Sequence, residues 1–350
     1  MNAKAFLLAL VLPAVALAQG FAGLGTTAEG FAVPERDRAL TFPQDHGPHP
    51  DYRIEWWYLT AVMEAADGTP YGAQWTLFRS ALAPETGEGW ETPQLWMGHA
   101  AVTTPDTHFV SERLARGGIG QAGAQAQPFR AWIDDWQMAS TGGPDAYDRL
   151  SLTASGADFS YALDLQATGP LVPQGDRGYS VKSREGQASY YYSQPFYELS
   201  GTLNLPTGTV PVTGRAWLDR EWSSQPLSED QDGWDWFSLH LPGGEKLMAF
   251  QLRERAGVSF TSGTWIAADG TPTPLEDGAI TFTPLRDEVV KGRDVPVEWR
   301  LQIPSRDLDV RTRPLNAQSW MDTFFPYWEG PIFFDGSHTG QGYLEMTGYE

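Results

Sequence analysis

Apolar and polar residues alternate with a period of two in several segments of the chain. The clearest examples are residues 159–166, 248–253 and 295–303, where every second position is apolar. Such alternation is typical of β-strands that bury one face. We find no long segment with the three-to-four-residue apolar spacing of an amphipathic helix. The pattern therefore predicts an all-β protein.

Turn sequences interrupt these predicted strands at short intervals. Asp67-Gly68, Asp269-Gly270 and Asp277-Gly278 are dipeptides that favour tight hairpin turns, and Pro242-Gly243-Gly244 ends another run. Many short strands joined by turns are typical of antiparallel sandwiches and barrels. We therefore expect a sandwich or a barrel.

A weak internal repeat divides the chain into two halves. Residues 55–79 contain, in order, an acid, two aromatic residues, a turn, an apolar strand and an Arg, and residues 235–253 repeat this order. The repeat predicts two related β halves that join near residues 215–230. Two separate sheets with one hairpin each would produce the same pattern, so a duplication stays one of two interpretations.

The start of the chain has the composition of an export signal. Lys4 provides a basic start, residues 5–15 form an apolar run, and Ala16-Leu17-Ala18 matches a signal-peptidase site. We expect cleavage after Ala18 and a mature protein that is secreted or periplasmic. No later segment has the apolar length of a transmembrane helix, so stable membrane insertion is not expected.

The composition excludes several kinds of site. The chain has no Cys, so it can form neither disulfides nor metal sites with sulfur ligands. Its formal net charge is −20 at pH 7, and such a surface repels nucleic-acid phosphates and anionic lipid headgroups. We find neither a Gly-rich nucleotide loop followed by a helix pattern nor the G-x-S-x-G motif of serine hydrolases. We therefore expect no nucleic-acid partner, no metal and no cofactor.

Aromatic residues and carboxylates occur together in four clusters. The chain has 15 Trp residues, and the clusters are residues 55–58, 217–222, 234–237 and 327–330. Large rings around a few polar groups are the usual lining of a small-molecule site. The alternative is that the rings belong to the core and the acids are solvated strand ends. The residues predicted to contact a ligand are Trp56, Trp57, Tyr58, Tyr190, Tyr192, Trp217, Trp222, Trp234, Asp235 and Trp236.

Residues 210–222 are the strongest candidate for chemistry. If they form one strand, Trp217, Asp219 and Glu221 share a face. In a barrel lumen the two carboxylates would act as acid and base, with one pKa raised by burial or by the like charge. The alternative is an outward face of ion pairs with Arg215. The predicted catalytic residues are Asp219, Glu221 and His99, the last because it opens an apolar strand.

Together these motifs resemble the AttH-like proteins, often called predicted secreted hydrolases. That family is related to hydroxyneurosporene synthase, the carotenoid 1,2-hydratase CrtC. The motifs that carry the resemblance are residues 55–58, 98–100, 190–193, 217–222, 233–237, 328–330 and 342–349. The resemblance spans about residues 46–350 and implies two lipocalin-like antiparallel β-barrel domains. We place these domains at residues 46–222 and 223–350, after an irregular leader of residues 19–45.

The resemblance also implies an apolar ligand of the isoprenoid or lipid type. In the hydratase branch, water adds across a terminal C=C bond without a redox cofactor, which requires a buried acid such as Asp219. Aromatic faces would stabilise the resulting carbocation. The chain departs from the family pattern at Arg220, where a His usually follows the Asp, and a guanidinium does not donate a proton near neutral pH. The acid would then be Asp219 or His99.

Two other functions stay open at this point. Genes of the family tend to lie beside transporter genes, which favours a non-catalytic periplasmic lipid carrier that works with an ABC-type transporter. The third alternative is an exported β scaffold that binds a sugar or a protein through exposed Trp rings. Burial of Asp219 and Glu221 beside Trp217 in a cavity would favour an enzyme, whereas exposure to solvent would favour a carrier.

Overall fold

The computed structural model describes residues 28–349, except residues 86, 226, 228 and 229. The predicted signal peptide and the first part of the predicted leader, up to residue 27, lie outside the described residues. The rest of the leader has irregular backbone up to a 3₁₀ turn at Gln44–His46. It packs on the protein, because Leu40 and Phe42 contact the first core described below.

Nearly all regular structure is β, which confirms the predicted all-β fold class. The helical elements of the described residues are the 3₁₀ turns Gln44–His46, Gly89–Glu91 and Pro304–Arg306. Across the same part of the chain, we find no helix with the length and apolar character needed to cross a bilayer.

The first thirteen strands form one antiparallel sheet that curls into a nearly closed barrel. Its strands are β1 Ile54–Ala65, β2 Pro70–Ala81, β3 Gln94–Thr103, β4 His108–Arg116, β5 Ala122–Ala126, β6 Phe129–Ile133, β7 Trp136–Ser140, β8 Arg149–Ser155, β9 Ser160–Ala167, β10 Val172–Pro173, β11 Tyr179–Val181, β12 Ala188–Leu205 and β13 Gly208–Ser223. The strand order is β4-β3-β2-β1-β13-β12-β9-β8-β7-β6-β5, and β10 and β11 also pair with β12. Strand β6 contacts β2, β3 and β4, which brings the two edges of the sheet together.

The last ten strands form a second antiparallel sheet, a half-barrel. Its strands are β14 Gln231–His240, β15 Lys246–Glu254, β16 Phe260–Ile266, β17 Pro272–Leu275, β18 Thr281–Val290, β19 Arg293–Ile303, β20 Leu308–Pro314, β21 Trp320–Met321, β22 Tyr327–Gly336 and β23 Gly340–Met346. The order is β17-β16-β15-β14-β23-β22-β20-β19-β18, with β21 paired to β22. The first sheet ends at Ser223 and the second begins at Gln231. Separate folding of the predicted domains 46–222 and 223–350 stays a prediction.

Four apolar clusters are buried in the described part of the chain, and the smallest joins Ala101 to Met321 and Tyr327. The first barrel buries rings such as Trp57 and Trp222 in its interior, and the half-barrel buries Trp299. A third cluster contains Trp217 and Trp236, which lie on the facing sides of the two sheets. Because side chains alternate along a strand, β13 sends Trp222 into the barrel and Trp217 into the contact between the sheets.

The two sheets touch through β1, β2, β22 and β23. At Gly72 on β2 an added Cβ would lie 2.6 Å from Cγ of Pro331 on β22. A side chain at this position would therefore push the sheets apart. The close contact places the outer face of the first sheet against the second sheet, and it is here that the acid-bearing face of β13 is covered.

Candidate functional site

A pocket lies between the two sheets, beside the third apolar cluster. The side chains that line it are Trp56, Tyr58, Phe78, Lys182, Tyr191, Asp219, Glu221, Leu227, Trp234, Trp236, Phe250, Leu252 and Glu345. The cavity volume is about 80 Å³, and with the open space at its mouth the empty space is about 690 Å³. Small-molecule sites commonly have volumes of roughly 300–1,000 Å³, so the cavity itself has room for only one end of such a molecule. Its mixed aromatic and carboxylate lining is that of a ligand site.

The position of this pocket corrects one expectation. Asp219 and Glu221 were expected in a barrel lumen, but they lie on the outer face of the first sheet, which the second sheet covers. The shared face with Trp217 follows from alternation along β13, as predicted. Which face would be covered by another sheet is a matter of tertiary packing that alternation does not specify.

Asp219 is held by three neutral donors. Its Oδ2 accepts a hydrogen bond from the Tyr191 hydroxyl at 2.6 Å. Its Oδ1 accepts hydrogen bonds from the Ser193 hydroxyl and from the Trp217 indole N–H, the latter at 2.6 Å. Burial raises the pKa of Asp219 to about 7, although these hydrogen bonds act to lower it. The carboxyl group therefore changes its protonation state near neutral pH.

Glu221, two residues further along β13, has a charged partner instead. Its Oε1 lies 2.8 Å from the Nζ of Lys182 and also accepts a hydrogen bond from the Ser189 hydroxyl. The ammonium group of Lys182 lies 4.4 Å from the ring centroid of Phe250, so a cation–π contact also stabilises it. The ion pair leaves this side of the pocket with little net charge.

Glu345 on β23 faces the same pocket from the second sheet. It accepts a hydrogen bond from the indole N–H of Trp234 at 2.6 Å. Burial raises the pKa of Glu345 to about 7, and the charges of Asp219 and Glu221 raise it as well. Glu345 is thus a second carboxyl group that titrates near neutral pH.

Directly across the ladder from Glu345 lies Glu329 on β22. Like charges at opposed positions of adjacent strands repel each other. Burial and the charge of Glu345 raise the pKa of Glu329 well above its ordinary value, and Tyr58 donates a hydrogen bond to it at 2.5 Å. This arrangement favours protonated carboxyl groups behind the pocket wall.

Six of the predicted site residues line the pocket together, and a seventh supports it. Those that line it are Trp56, Tyr58, Asp219, Glu221, Trp234 and Trp236. Trp217 donates its hydrogen bond to Asp219 from behind the wall. These residues come from β1, β13 and β14, so the pocket unites three of the four clusters that the sequence singled out.

Four other predicted ligand contacts lie on the opposite face, in the interior of the first barrel. They are Trp57, Tyr190, Tyr192 and Trp222. The Trp222 ring stacks on His49 with centroids 3.9 Å apart, and the Tyr192 hydroxyl lies 2.7 Å from Nδ1 of His46. Neighbouring residues of a strand point to opposite faces, so consecutive motif residues cannot all line one pocket.

Asp235 and His99 also lie away from the pocket lining. Asp235 forms an ion pair with Arg253 and accepts a hydrogen bond from Tyr349 at 3.0 Å. His99 is buried, which lowers its pKa, and its ring nitrogens lie 3.0 Å from the Tyr327 hydroxyl and 3.1 Å from Glu112. In these positions Asp235 bridges neighbouring segments of the second sheet, and His99 connects the first sheet to β22.

The sequence analysis did not nominate several residues that shape the pocket. Glu345 was noted only within a family motif, and Glu329 only within a family motif and the fourth aromatic and carboxylate cluster, although each is a single acid among apolar or aromatic neighbours in a strand. That local pattern would have identified them, because burying a carboxylate in a strand costs free energy unless it is paired or hydrogen-bonded. Lys182, Phe250 and Leu252 carry no comparable signal, since only the packing of the two sheets brings them to the pocket.

A second buried charged cluster lies on the other face of β13. Arg220 and Arg79 both form ion pairs with Glu55, and the Arg220 guanidinium lies 3.9 Å from the Trp57 ring centroid. Burial acts to raise the pKa of Glu55, but the two guanidinium groups outweigh it and hold this pKa well below the ordinary value. Arg220, which stands where the resemblance implies a His, therefore serves this internal network and is not part of the pocket lining.

The chemistry open to the pocket is proton transfer. Groups with a pKa near the working pH are the most effective general acids and bases, and Asp219 and Glu345 both meet this condition. Trp56 and Trp236 line the same space, and aromatic rings attract nearby cations. In the part of the chain that the structure describes, no three His, Asp or Glu side chains are grouped so as to hold a metal ion.

Comparisons with known proteins agree with this architecture. The family model described as AttH-like matches residues 33–349. A crystal structure titled as an AttH from Nitrosomonas europaea is 34% identical, with 91% of this chain and 100% of that chain covered and a TM-score of 0.80. No curated protein gives a significant match.

Two more distant solved structures share the fold. Kievitone hydratase from Nectria haematococca is 16% identical, with 91% of this chain and 98% of that chain covered and a TM-score of 0.66. CghA, solved with Sch210972, is 13% identical, with 86% of this chain and 89% of that chain covered and a TM-score of 0.52. The family model and the 34% identical structure cover almost all described residues. The chain therefore belongs to the AttH-like family.

Proposed function

We propose that the protein adds water to a C=C bond of an apolar, isoprenoid- or lipid-like molecule in the pocket between the two sheets. The observation that carries this proposal is that two buried carboxyl groups, Asp219 and Glu345, line one aromatic pocket from the two sheets. Their burial raises the pKa of each to about 7. The reaction class is also that named for one distant structural neighbour, the kievitone hydratase.

The surroundings of the two carboxyl groups assign them different roles. Asp219 accepts three hydrogen bonds, which favour its ionised form. Glu345 accepts hydrogen bonds from Trp234 and Tyr58, and it lies near the negative charges of both Asp219 and Glu221, which favour its protonated form. We therefore take Glu345 as the general acid and Asp219 as the general base. This reverses the expectation that Asp219 is the acid.

The proposed reaction begins when Glu345 transfers its proton to one alkene carbon. The π electron pair forms the new C–H bond and leaves a carbocation at the neighbouring carbon, which the faces of Trp56 and Trp236 stabilise. A water oxygen then bonds to this carbon while Asp219 accepts one of its protons. Proton exchange with solvent restores protonated Glu345 and ionised Asp219. One water molecule is consumed, and no oxidant or reductant is required.

A non-catalytic carrier is the second candidate, because Leu227, Phe250 and Leu252 would contact any apolar ligand equally well. Two buried carboxyl groups that form no ion pair with any described residue favour the enzyme, however. Burying such groups costs free energy, and a carrier of apolar molecules gains nothing from them. In either case we propose that the protein works after export, and as a carrier it would work with a transporter.

The proposal is tested with geraniol, farnesol and squalene as substrates in ¹⁸O-labelled water. We expect a product that contains one ¹⁸O atom, detected by mass spectrometry. Asp219→Asn and Glu345→Gln should each reduce turnover by about 10²–10⁴-fold, because each removes a group that transfers a proton. Affinity for the alkene, measured by Trp fluorescence, should change little.

Asp164→Asn provides the matched control, since Asp164 is exposed on β9 of the first barrel. It should leave turnover unchanged. Binding of all three alkenes without ¹⁸O incorporation would contradict the hydratase proposal and support the carrier. Full turnover in either pocket variant would remove that residue from the proposed mechanism.

A further inference from the structure

A second concave surface lies outside the pocket, over the ends of β2, β3 and β4. It is lined mainly by apolar side chains, among them Leu82, Trp96, Met97, Leu114, Phe324 and Phe325. Its empty space, including its open side, is about 1,260 Å³. We call it the outer groove. It is larger than the pocket that holds the two titrating carboxyl groups, and it has fewer charged groups.

The outer groove contains unusually exposed apolar residues. Leu82 is 60% exposed, Leu114 is 58% exposed and Phe324 is 71% exposed. Single exposed apolar residues are ordinary on a protein surface, but their concentration in one concavity marks a place where something binds. Covering these side chains would remove apolar area from water and stabilise a complex.

The outer groove adjoins the pocket. Phe78 lines both of them. In the register of the sheet, Trp56 on β1 lies opposite Phe78 on β2, Phe78 opposite Met97 on β3, and Met97 opposite Leu114 on β4. Residues that are directly paired in a sheet share a face. One row of apolar side chains therefore runs across four strands from the pocket wall to the exposed edge of the groove.

The far wall of the groove is fixed by polar contacts. The backbone N–H of Phe324 donates to Glu112 on β4 at 2.9 Å, and His99 lies 3.1 Å from the same carboxylate oxygen. The other ring nitrogen of His99 lies 3.0 Å from the hydroxyl of Tyr327. These contacts hold the segment that precedes β22 against the first sheet. The groove is thus preformed, so a ligand that binds there pays little for ordering it.

We propose that the outer groove is the subsite for the hydrocarbon chain of the same ligand whose double bond reacts in the pocket. The inference rests on the proposed function for the identity of the ligand. The reacting end would lie beside Asp219 and Glu345, and the chain would pass Phe78 and cover Met97 and Leu114. The preferred substrates are therefore long, linear apolar molecules that react at one end.

The test is a chain-length series of isoprenoid alcohols: geraniol, farnesol and geranylgeraniol. Binding is measured by titration calorimetry, so it does not depend on turnover. Affinity should rise by about tenfold or more with each added isoprene unit, because each adds several buried carbon atoms. Leu114→Asp should reduce the affinity for geranylgeraniol by at least about tenfold while geraniol binds as before. The side chain of Leu114 is mostly exposed, so the variant should retain the parent melting temperature.

Val289→Asp is the matched control, because Val289 is 62% exposed on β18 of the second sheet, outside the groove lining. This variant should change neither the affinity for geraniol nor the affinity for geranylgeraniol. Equal affinities along the series, or a Leu114→Asp effect that is the same for geraniol and geranylgeraniol, would overturn the proposed subsite. Chain-length dependence without hydration would retain the subsite and remove the hydratase proposal. Hydration of geraniol without chain-length dependence of the affinity would retain the hydratase proposal and remove the subsite.

Discussion

The two faces of β13 carry buried charges in opposite arrangements. On the barrel side, Arg220 forms an ion pair with Glu55, which also contacts Arg79. On the side of the second sheet, Asp219 receives hydrogen bonds only from the neutral groups of Tyr191, Ser193 and Trp217. Although both carboxyl groups are buried, the pKa of Glu55 lies well below its ordinary value and that of Asp219 is raised to about 7.

The difference shows that the charge of the partners, and not burial alone, decides the state of a buried acid. Glu55 is held in its ionised form and joins β1 to β2 and β13 through Arg79 and Arg220, so its contribution is structural. Asp219 and Glu345 gain or lose a proton near neutral pH in a pocket open to a ligand. Groups in this second condition are typical of functional sites. Arg220 belongs to the structural network and its neighbour on β13, Asp219, belongs to the site where proton transfer is possible.

The largest expected effect comes from breaking the barrel-side network. Glu55→Gln leaves the guanidinium groups of Arg79 and Arg220 buried without a negative partner. We expect the free energy of unfolding at neutral pH to fall by about 3–5 kcal/mol, as it does when one partner of a buried ion pair is removed. Chemical denaturation monitored by circular dichroism measures this change.

Asp309→Asn is the control for this experiment. Asp309 pairs with Arg300 on the surface, where solvent and side-chain entropy cancel most of the attraction. The free energy of unfolding of the Asp309→Asn variant should match that of the parent. If Glu55→Gln were as stable as the parent, the network on the barrel side would not be structural, and the contrast between the two faces would disappear.

A smaller effect is expected from the pocket side, and it depends on pH. The pKa values of Asp219 and Glu345, about 7 in the folded protein, lie above the ordinary values of 3.8 and 4.5. At pH values between the ordinary pKa values and about 7, the folded protein keeps protons on Asp219 and Glu345 that the unfolded chain has already released. The two groups therefore make their full contribution to the free energy of unfolding at low pH. Their contribution decreases as pH rises toward 7, by about 1.4 kcal/mol per pH unit for each group.

Asp219→Asn removes one of these two contributions. The stability of the variant relative to the parent should therefore increase from about pH 5 to about pH 7, which urea unfolding at both pH values measures. Comparison with the parent cancels the opposite effect of buried histidines such as His240, whose pKa is lowered to about 3 by burial. A constant difference between variant and parent across this range would show that Asp219 has an ordinary pKa in the folded protein.

Much of this arrangement could be predicted from the sequence. Alternation identified the strands and put Trp217, Asp219 and Glu221 on one face of β13, because side-chain direction in a strand follows from position alone. The family motifs then implied the two curled sheets, which the structure and the comparisons confirm. These inferences needed only local spacing or a recognisable order of rare aromatic motifs.

The rest depended on packing between distant parts of the chain. Glu345 meets Asp219 only because β23 pairs with β14 and the second sheet covers the first. For the same reason the sequence could not indicate which residues of a Trp-Trp or Tyr-Tyr-Tyr run would face the pocket and which the barrel interior. Nor did the loop that carries His46 suggest that this side chain is fully buried against Tyr192 and Tyr147.

The central claim, that the pocket carboxyl groups titrate near neutral pH, is tested most directly by infrared spectroscopy. Protonated carboxyl groups have a C=O stretching band that ionised ones lack, so the band can be followed as pH rises. We predict that one component of this band, separate from that of Glu329, disappears with a midpoint near pH 7 and becomes weaker in both Asp219→Asn and Glu345→Gln. Loss of the whole carboxyl band near pH 4, with no change in either variant, would contradict the account.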